Sequence, residues 1–211
     1  VEDILSGMDP TDPNYRALQI IEEESKRCRQ IVRDLMEYAR PRSTDFCSTS
    51  IADAIEKTLQ LMENRLYKQK VEVEKNLEPD MPRIQADSPQ LEQVLVNLYL
   101  NAIDAMPDGG KLIVKARIMQ PEGGSSMAVI TVADTGFGIA ETDLPKIFQP
   151  FFTAKKRRGM GLGLPICQRI VKNHGGHIEV ESEPGNGTTF KIYLPSEQRQ
   201  SMEPLESGSI A

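Results

Sequence analysis

The chain has 211 residues, 39% hydrophobic and 27% charged, the make-up of a soluble globular protein with room for one medium domain and an appendage. A net charge of -6 supplies no basic field to draw nucleic acid or anionic lipid, and the lack of Trp with only 5% aromatics argues against a base-stacking surface. Cys28, Cys47 and Cys167 show no CxxC spacing and read as small buried or half-buried residues of a reducing cytoplasm, so neither a disulfide scaffold nor a thiolate metal site is expected.

No signal-peptide pattern is present. The longest apolar run, Val94 to Met106, is broken by Asn97, Asn101 and Asp104, so no bilayer span and no membrane contact are expected here. The chain starts at Val1 rather than Met and is expected to be a piece of a longer protein, cytoplasmic in this part and with a membrane anchor left open for the rest.

Residues 1–12 end in Asp9-Pro10 and Asp12-Pro13, a turn signal in which Asp12 caps a helix and Pro13 takes its first position. Leu18, Ile21, Ser25, Cys28, Val32, Leu35 and Ala39 then alternate by threes and fours, the seam of a packed bundle, until Pro41 ends the helix. One such helix cannot bury its own seam, and Val1, Ile4, Leu5 and Met8 read as the tail of a partner. A second unit begins near Ser43. Ser50 caps a helix over 51–67, Val71 and Val73 alternate with charge as in a half-exposed strand, and a helix covers 88–106. Strands over Lys111–Met119 and Met127–Ala133 are joined by Gly123-Gly124. After a Gly-rich loop region come a helix over 163–174 closed by Gly175-Gly176, then strands 177–183 and 187–194 turned at Gly185-Asn186-Gly187. Helices and hairpins mixed in this way indicate an α+β two-layer sandwich. The polar residues 196–211 read as a disordered tail.

Three segments carry chemistry. The helix Gln90–Met106 is apolar on most sides but has one polar stripe, Gln93, Asn97, Asn101 and Asp104. The stripe alone fits an internal hydrogen-bond network as well as a wet or liganded cleft. Asp134-Thr135-Gly136-Phe137-Gly138 follows a strand directly, and its glycines let backbone approach a ligand closely, although this pattern alone also fits a plain turn. Gly159, Gly161 and Gly163 open a helix, where free N–H groups and the positive dipole end make a place for phosphate. The same glycines match a dinucleotide-binding turn, but they do not follow a strand as that fingerprint requires.

Taken in order, the chain shows an N box (Asn97 to Ala105), a G1 box (DTGFG), an F box (Phe148, Phe151, Phe152), a G2 box (GMGLGL) and a terminal Gly187-Thr188-Thr189-Phe190. Over about residues 13–195 it resembles the ATPase superfamily shared by gyrase, the heat-shock chaperone, histidine kinases and mismatch-repair ATPases. The F box and the helix end Tyr38-Ala39-Arg40-Pro41 are similar to sensor histidine kinases in particular. The resemblance implies the Bergerat-type ATP-binding fold, a mixed five-stranded sheet with helices on one face, preceded by a bundle helix. It implies domains at 1–42 (part of the dimerisation and phosphotransfer hairpin) and 43–195 (ATP-binding).

The resemblance also implies roles. Asp134 would accept from the adenine amino group, and Thr188 would support it. Asn101 would offer its amide oxygen to Mg²⁺. Asn97 would face the phosphates where gyrase-like relatives carry a glutamate, and an amide cannot serve as that base. Gly136 and Gly138 would let the loop close, and Gly159, Gly161 and Gly163 would cradle the phosphates. Asp104, Ile139 and Leu162 would line the same nucleotide. Lys155, in the basic segment Thr153 to Arg158, would neutralise the triphosphate, against the plainer reading of a solvated loop. Ala154 and Met160 stand where many relatives have Thr, which removes two hydroxyls from the phosphate side. His174 and His177 flank a helix stop and are expected to be structural, so the acceptor histidine is absent from the chain. The implied activity is ATP:protein-histidine phosphoryl transfer, with a response-regulator receiver domain and a second copy of the protein as partners. The rival readings are a water-directed ATPase of the same superfamily and a non-enzymatic nucleotide-binding module.

Overall fold

The computed structural model describes residues 2–9, 11–39, 44–120, 125–153 and 160–196. They fall into two units: one from the chain up to residue 43 together with Pro145–Ile166, the other from Thr44–Leu144 together with the chain from Cys167 onward. Expectations placed on Pro41, on the Gly123-Gly124 turn, on residues 154–159 and on most of the tail lie outside the described residues.

In the first unit α1 covers Glu2–Ser6 and α2 covers Tyr15–Ala39. The turn between them is built by two aspartates. Asp9 Oδ1 accepts from Thr11 N at 2.9 Å and from its hydroxyl at 2.7 Å, and Asp12 Oδ1 accepts from Asn14 N at 2.7 Å. Asp12 caps the entry as expected, but its carbonyl accepts from Tyr15 N at 3.0 Å in an i to i+3 turn, and α2 begins at Tyr15 rather than at Pro13. On α2, Glu22 pairs with Lys26 one turn away. Ile21, Cys28 and Val32 of the seam are exposed.

The second unit contains β1 (Cys47–Thr49), α3 (Ile51–Lys68), β2 (Val71–Leu77), β3 (Ile84–Ala86), α4 (Ser88–Ala105), β4 (Gly110–Met119), β5 (Met127–Asp134), the greater part of α5 (Gly163–Asn173), β6 (His177–Glu183) and β7 (Gly187–Pro195). Five strands form one sheet in the order β2-β4-β5-β7-β6, parallel between β2 and β4 and antiparallel elsewhere. This is the expected mixed five-stranded sheet. β1 and β3 pair separately as a two-stranded ribbon that the sequence reading did not foresee.

Alternation sorts the large sheet into two faces. Leu112, Val114 and Ala116 of β4, Ala128, Ile130 and Val132 of β5, and Phe190, Ile192 and Leu194 of β7 are buried against the helices. α4 contacts β4, β5 and β7, and α3 packs on α4 and β2. On the opposite face β6 and β7 are polar and cross-linked. Lys191 Nζ bonds Glu181 at 2.6 Å, the Tyr193 hydroxyl donates to Glu179 at 2.8 Å, and the His177 ring stacks on Tyr193 with centroids 4.4 Å apart. Among the described residues no helix is long and apolar enough to cross a membrane.

The start of α4 is fixed from several directions. Asp87 is its N-cap: Oδ1 accepts from Gln90 N at 3.0 Å, and Oδ2 accepts from Gln90 Nε2 at 2.7 Å and Asp45 N at 3.2 Å. The Asp87 N–H donates to His174 Nε2 at 2.9 Å. His174 Nδ1 lies 2.8 Å from the Ile170 carbonyl, so it carries the ring proton. The Phe46 ring meets the imidazole edge-on at 5.2 Å. His174 is therefore a buried structural clasp joining α4, α5 and the chain before β1.

Of the cysteines only Cys167 meets the expectation of burial; Cys28 and Cys47 are exposed. Burial pushes the Cys167 thiol up to about 12, with Asn97 as a weaker opposing partner, and its Sγ donates to the Val94 carbonyl at 3.8 Å.

Two outcomes are expected. Asp87→Ala removes the cap together with the partners of Asp45 N and the Gln90 amide, and should cost about 2 kcal/mol, the upper end for a cap. Tm should fall by about 4–8 °C; an unchanged melting curve would show that the cap carries no stability. A thiol reagent at about pH 8 should modify Cys28 and Cys47 of the native chain, and Cys167 only after unfolding. Rapid labelling of all three in the native state would contradict the burial of Cys167.

Candidate functional site

α4 presents a polar line where its other sides are buried. Gln93, Asn97, Asn101 and Asp104 are each half-exposed, while Leu91, Val94, Leu95, Leu98, Tyr99, Ala102 and Ile103 are enclosed. Asp104 Oδ1 accepts from Arg65 Nη2 of α3 at 3.3 Å, and Asn97 interacts with the Cys167 thiol. The sequence spacing is thus realised as one line along one helix.

Asp134 ends β5, the central strand of five, and is only 8% exposed. A buried carboxylate needs donors. Gly136 N supplies one, bonding Asp134 Oδ1 at 2.9 Å. In register, Asp134 lies between Leu112 of β4 and Thr188 of β7, and Thr188 lies opposite Ser182 of β6. Asp134, Thr188 and Ser182 therefore form a polar row on the helix-covered face, just past the apolar rows.

The loop after Asp134 is stitched to its surroundings by backbone. Phe137 N donates to the Ala105 carbonyl at the end of α4, at 3.1 Å. Gly138 has φ +70°, and a Cβ there would collide with the Glu183 carbonyl, so only glycine lets the loop pass β6 so closely. Ile139 N then donates to Ser182 Oγ at 2.8 Å. Asp134, Gly136, Gly138, Ile139 and Thr188 are thus brought together with the end of α4. Ser182, which joins them, was missed by sequence reasoning. Its one signal is a small polar residue on the inward side of β6, where Ile178 and Val180 precede it.

In the other unit Gly161, Leu162 and Gly163 are consecutive. Gly161 has φ +69° and its carbonyl accepts from Phe151 N at 3.1 Å, while a Cβ on it would strike the Phe152 carbonyl, so the F box and G2 box bind each other through backbone. Leu162 is buried, and its carbonyl accepts from Ile166 N at 3.0 Å in the opening turn of α5, with Gly163 the first helical residue. Lys155 and Gly159 lie outside the described residues. Among the described residues no group of three or more His, Cys, Asp or Glu side chains is arranged to hold a metal ion.

Residues 86–198 match the model of a family described as histidine kinase-, DNA gyrase B-, and HSP90-like ATPase. The chain is 37% identical over 187 residues to the sensor histidine kinase ZraS of Salmonella typhi, an alignment that covers 89% of this chain but 39% of that protein. The chain therefore spans well under half the length of such relatives. Its fold is similar to the catalytic domain of histidine kinase ThkA, with TM-score 0.63, 32% identity, and 72% of this chain and 95% of that one covered. It is also similar to full-length ShkA in complex with AMPPNP, with TM-score 0.75, 26% identity, and 91% and 41% covered. A third likeness is to ThkA in complex with the response regulator TrrA, with TM-score 0.73, 28% identity, and 93% and 55% covered. The family model takes in more than half of the 211 residues, including α4, the Asp134 loop and Thr188, and the chain accordingly belongs to the histidine kinase-, DNA gyrase B- and HSP90-like ATPase family, with a catalytic region of the sensor-histidine-kinase kind.

Proposed function

We propose that the chain binds ATP and transfers its γ-phosphoryl group to a histidine other than His174 and His177, for relay to an aspartate of a response-regulator receiver domain. The observation that carries the reading is the pairing of Asp134 and Thr188 across β5 and β7, buried and joined through the Asp134 loop to the end of α4's polar line. Asp134 accepts from the adenine amino group; guanine would set an oxo group against the same carboxylate. Gly136 and Gly138 shape the loop around the base, beside Ile139. Gly159, Gly161, Leu162 and Gly163 supply backbone N–H groups to the phosphates, and Lys155 adds charge.

Asn101 holds Mg²⁺. The donor set suits that ion: a half-exposed amide oxygen is a hard ligand, and Mg²⁺ completes its shell with waters and phosphate oxygens rather than a protein cage. When bound, the ion neutralises charge on the transferring phosphate. Asp104 is the next polar residue on that line. Asn97 offers an amide and no base, which leaves water unactivated and favours transfer over hydrolysis. Neither histidine is placed to receive the phosphate: both ring nitrogens of His174 are engaged, and His177 stacks on the polar face of the sheet. The exposure of Ile21, Cys28 and Val32 along α2 supports assembly with a second copy through a helical bundle formed by residues 1–42 and their partners. Residues 43–195 form the ATP-binding domain of a protein whose catalytic part works in the cytoplasm, and ThkA with its bound response regulator supports the same class of partner here.

Calorimetry should show ATP bound in preference to GTP, and Asp134→Asn should lose most of the ATP affinity. Asn101→Ala should keep the fold and lose the extra thermal stabilisation that Mg²⁺ gives with ADP. Equal ATP affinity in wild type and Asp134→Asn would remove the adenine assignment, and an unchanged magnesium increment would leave Asn101 structural.

Incubated with γ-labelled ATP, the chain alone should yield no acid-labile phosphoprotein, and an added histidine-bearing helical hairpin should become labelled. Steady phosphate release without an acceptor would point to a water-directed ATPase, and labelling of His174 or His177 would overturn the reading.

A further inference from the structure

The Ser182 hydroxyl makes three contacts: Ile139 N at 2.8 Å, the Gly187 carbonyl at 2.8 Å and Thr188 Oγ1 at 2.9 Å. A serine hydroxyl has one proton and two lone pairs. The Ile139 N–H can only donate, so it takes one lone pair. The Gly187 carbonyl can only accept, so it takes the proton. The contact with Thr188 then exists only if Thr188 donates into the remaining lone pair. The Thr188 proton is thereby committed to Ser182, and the Thr188 hydroxyl offers nothing but lone pairs in any other direction.

We propose that Ser182 is a positioning residue that sets base specificity by holding Thr188 as an acceptor-only group. The proposal rests on the reading of Asp134 and Thr188 as the adenine end of the site. These two are register neighbours, 8% and 5% exposed, in a setting where an unmatched polar group is expensive. A carboxylate beside a threonine that can donate would admit either a donor or an acceptor at the purine 6-position. A carboxylate beside a threonine that only accepts demands a donor in direct contact. A 6-amino purine meets that demand, and a 6-oxo purine sets lone pairs against two acceptors. Ser182 does this without touching the base. The same hydroxyl anchors Ile139, so the loop that carries Asp134's partner Gly136 and the polarity of Thr188 depend on one atom.

Removing that atom separates specificity from affinity. In Ser182→Ala the Thr188 proton is released, and its hydroxyl can turn to donate to an oxo group. The test is the affinity of this chain for ATP and for inosine triphosphate, which differ at the 6-position and in the proton that inosine carries on N1, in wild type, Ser182→Ala and Ser182→Thr. Wild type should prefer ATP. In Ser182→Ala the ATP-to-inosine-triphosphate ratio should fall at least about fivefold, the low end of what an unpaired buried polar group costs. Ser182→Thr keeps the hydroxyl and should keep the ratio. Should Ser182→Ala fail to fold by circular dichroism, Ser182→Cys takes its place, because a thiol is a poor donor and acceptor and should lower the ratio in the same way. A variant that weakens both nucleotides equally would overturn the proposal and leave Ser182 a loop anchor, with the adenine site intact. A wild type that does not distinguish the two nucleotides would overturn the adenine reading itself, and this proposal with it.

Discussion

Half of the residues of α4 are buried, on the sheet below and on α3 beside, yet one polar residue recurs on nearly every turn. Such a helix has a single stable setting: apolar sides enclosed and the polar line left at the edge of the core. Everything that concerns the nucleotide end follows from that setting. The end of α4 offers the Ala105 carbonyl to Phe137 N, which holds the loop after Asp134 in place. Its beginning is held by Asp87 and by His174, 87 residues further along the chain. A rotation of α4 about its axis would break both ends and bury the asparagines without partners.

A second constraint concerns Asp134. A carboxylate at the end of a central strand is costly unless donors meet it, and one donor comes from its own loop two residues on. Aspartate and threonine face each other across β5 and β7 while serine and threonine face each other across β7 and β6. Polar side chains thus replace aliphatic ones at one level of the sheet only. One level further in, Phe190, Val132 and Val114 fill the face, so the transition from core to site occurs within two residues on β5 and β7, while Leu112 of β4 stays apolar at the level of Asp134 itself.

Most of the fold was legible because its punctuation is local. Gly175-Gly176 closes α5, Gly185-Asn186-Gly187 turns the last hairpin, and Ser50 caps α3, as shown by its bond from Asp53 N at 3.2 Å. β1 and β3 were not legible, since three residues carry no period and the ribbon exists only by pairing 35 or more positions apart. The polar line on α4 and the strand-end aspartate were legible as residue patterns, although the line by itself did not distinguish an internal network from a cleft. Ser182 was hidden for another reason. Its role depends on hydrogen bonds to Ile139, 43 positions away, and to two neighbours across a turn, and nothing in the run of β6 announces a shared proton. The start of α2 falls two residues later than expected because the chain enters through an i to i+3 turn from Asp12 to Tyr15.

The central position of β5 bears on how the sheet assembles. On one side β5 pairs with β4, its neighbour in sequence, and on the other with β7, so that Asp134 and Thr188 meet across 54 intervening steps of chain. The β4–β5 hairpin closes a short loop, whereas docking β7, and joining β2 to β4 around a crossover of β3 and α4, closes long ones at greater entropic cost. Asp134 therefore belongs to the piece that can form first, and Thr188 and Ser182 to a piece that arrives later. A ligand that needs both sides recognises only the completed sheet, and its binding energy stabilises the last pairing to be made rather than the hairpin that began it.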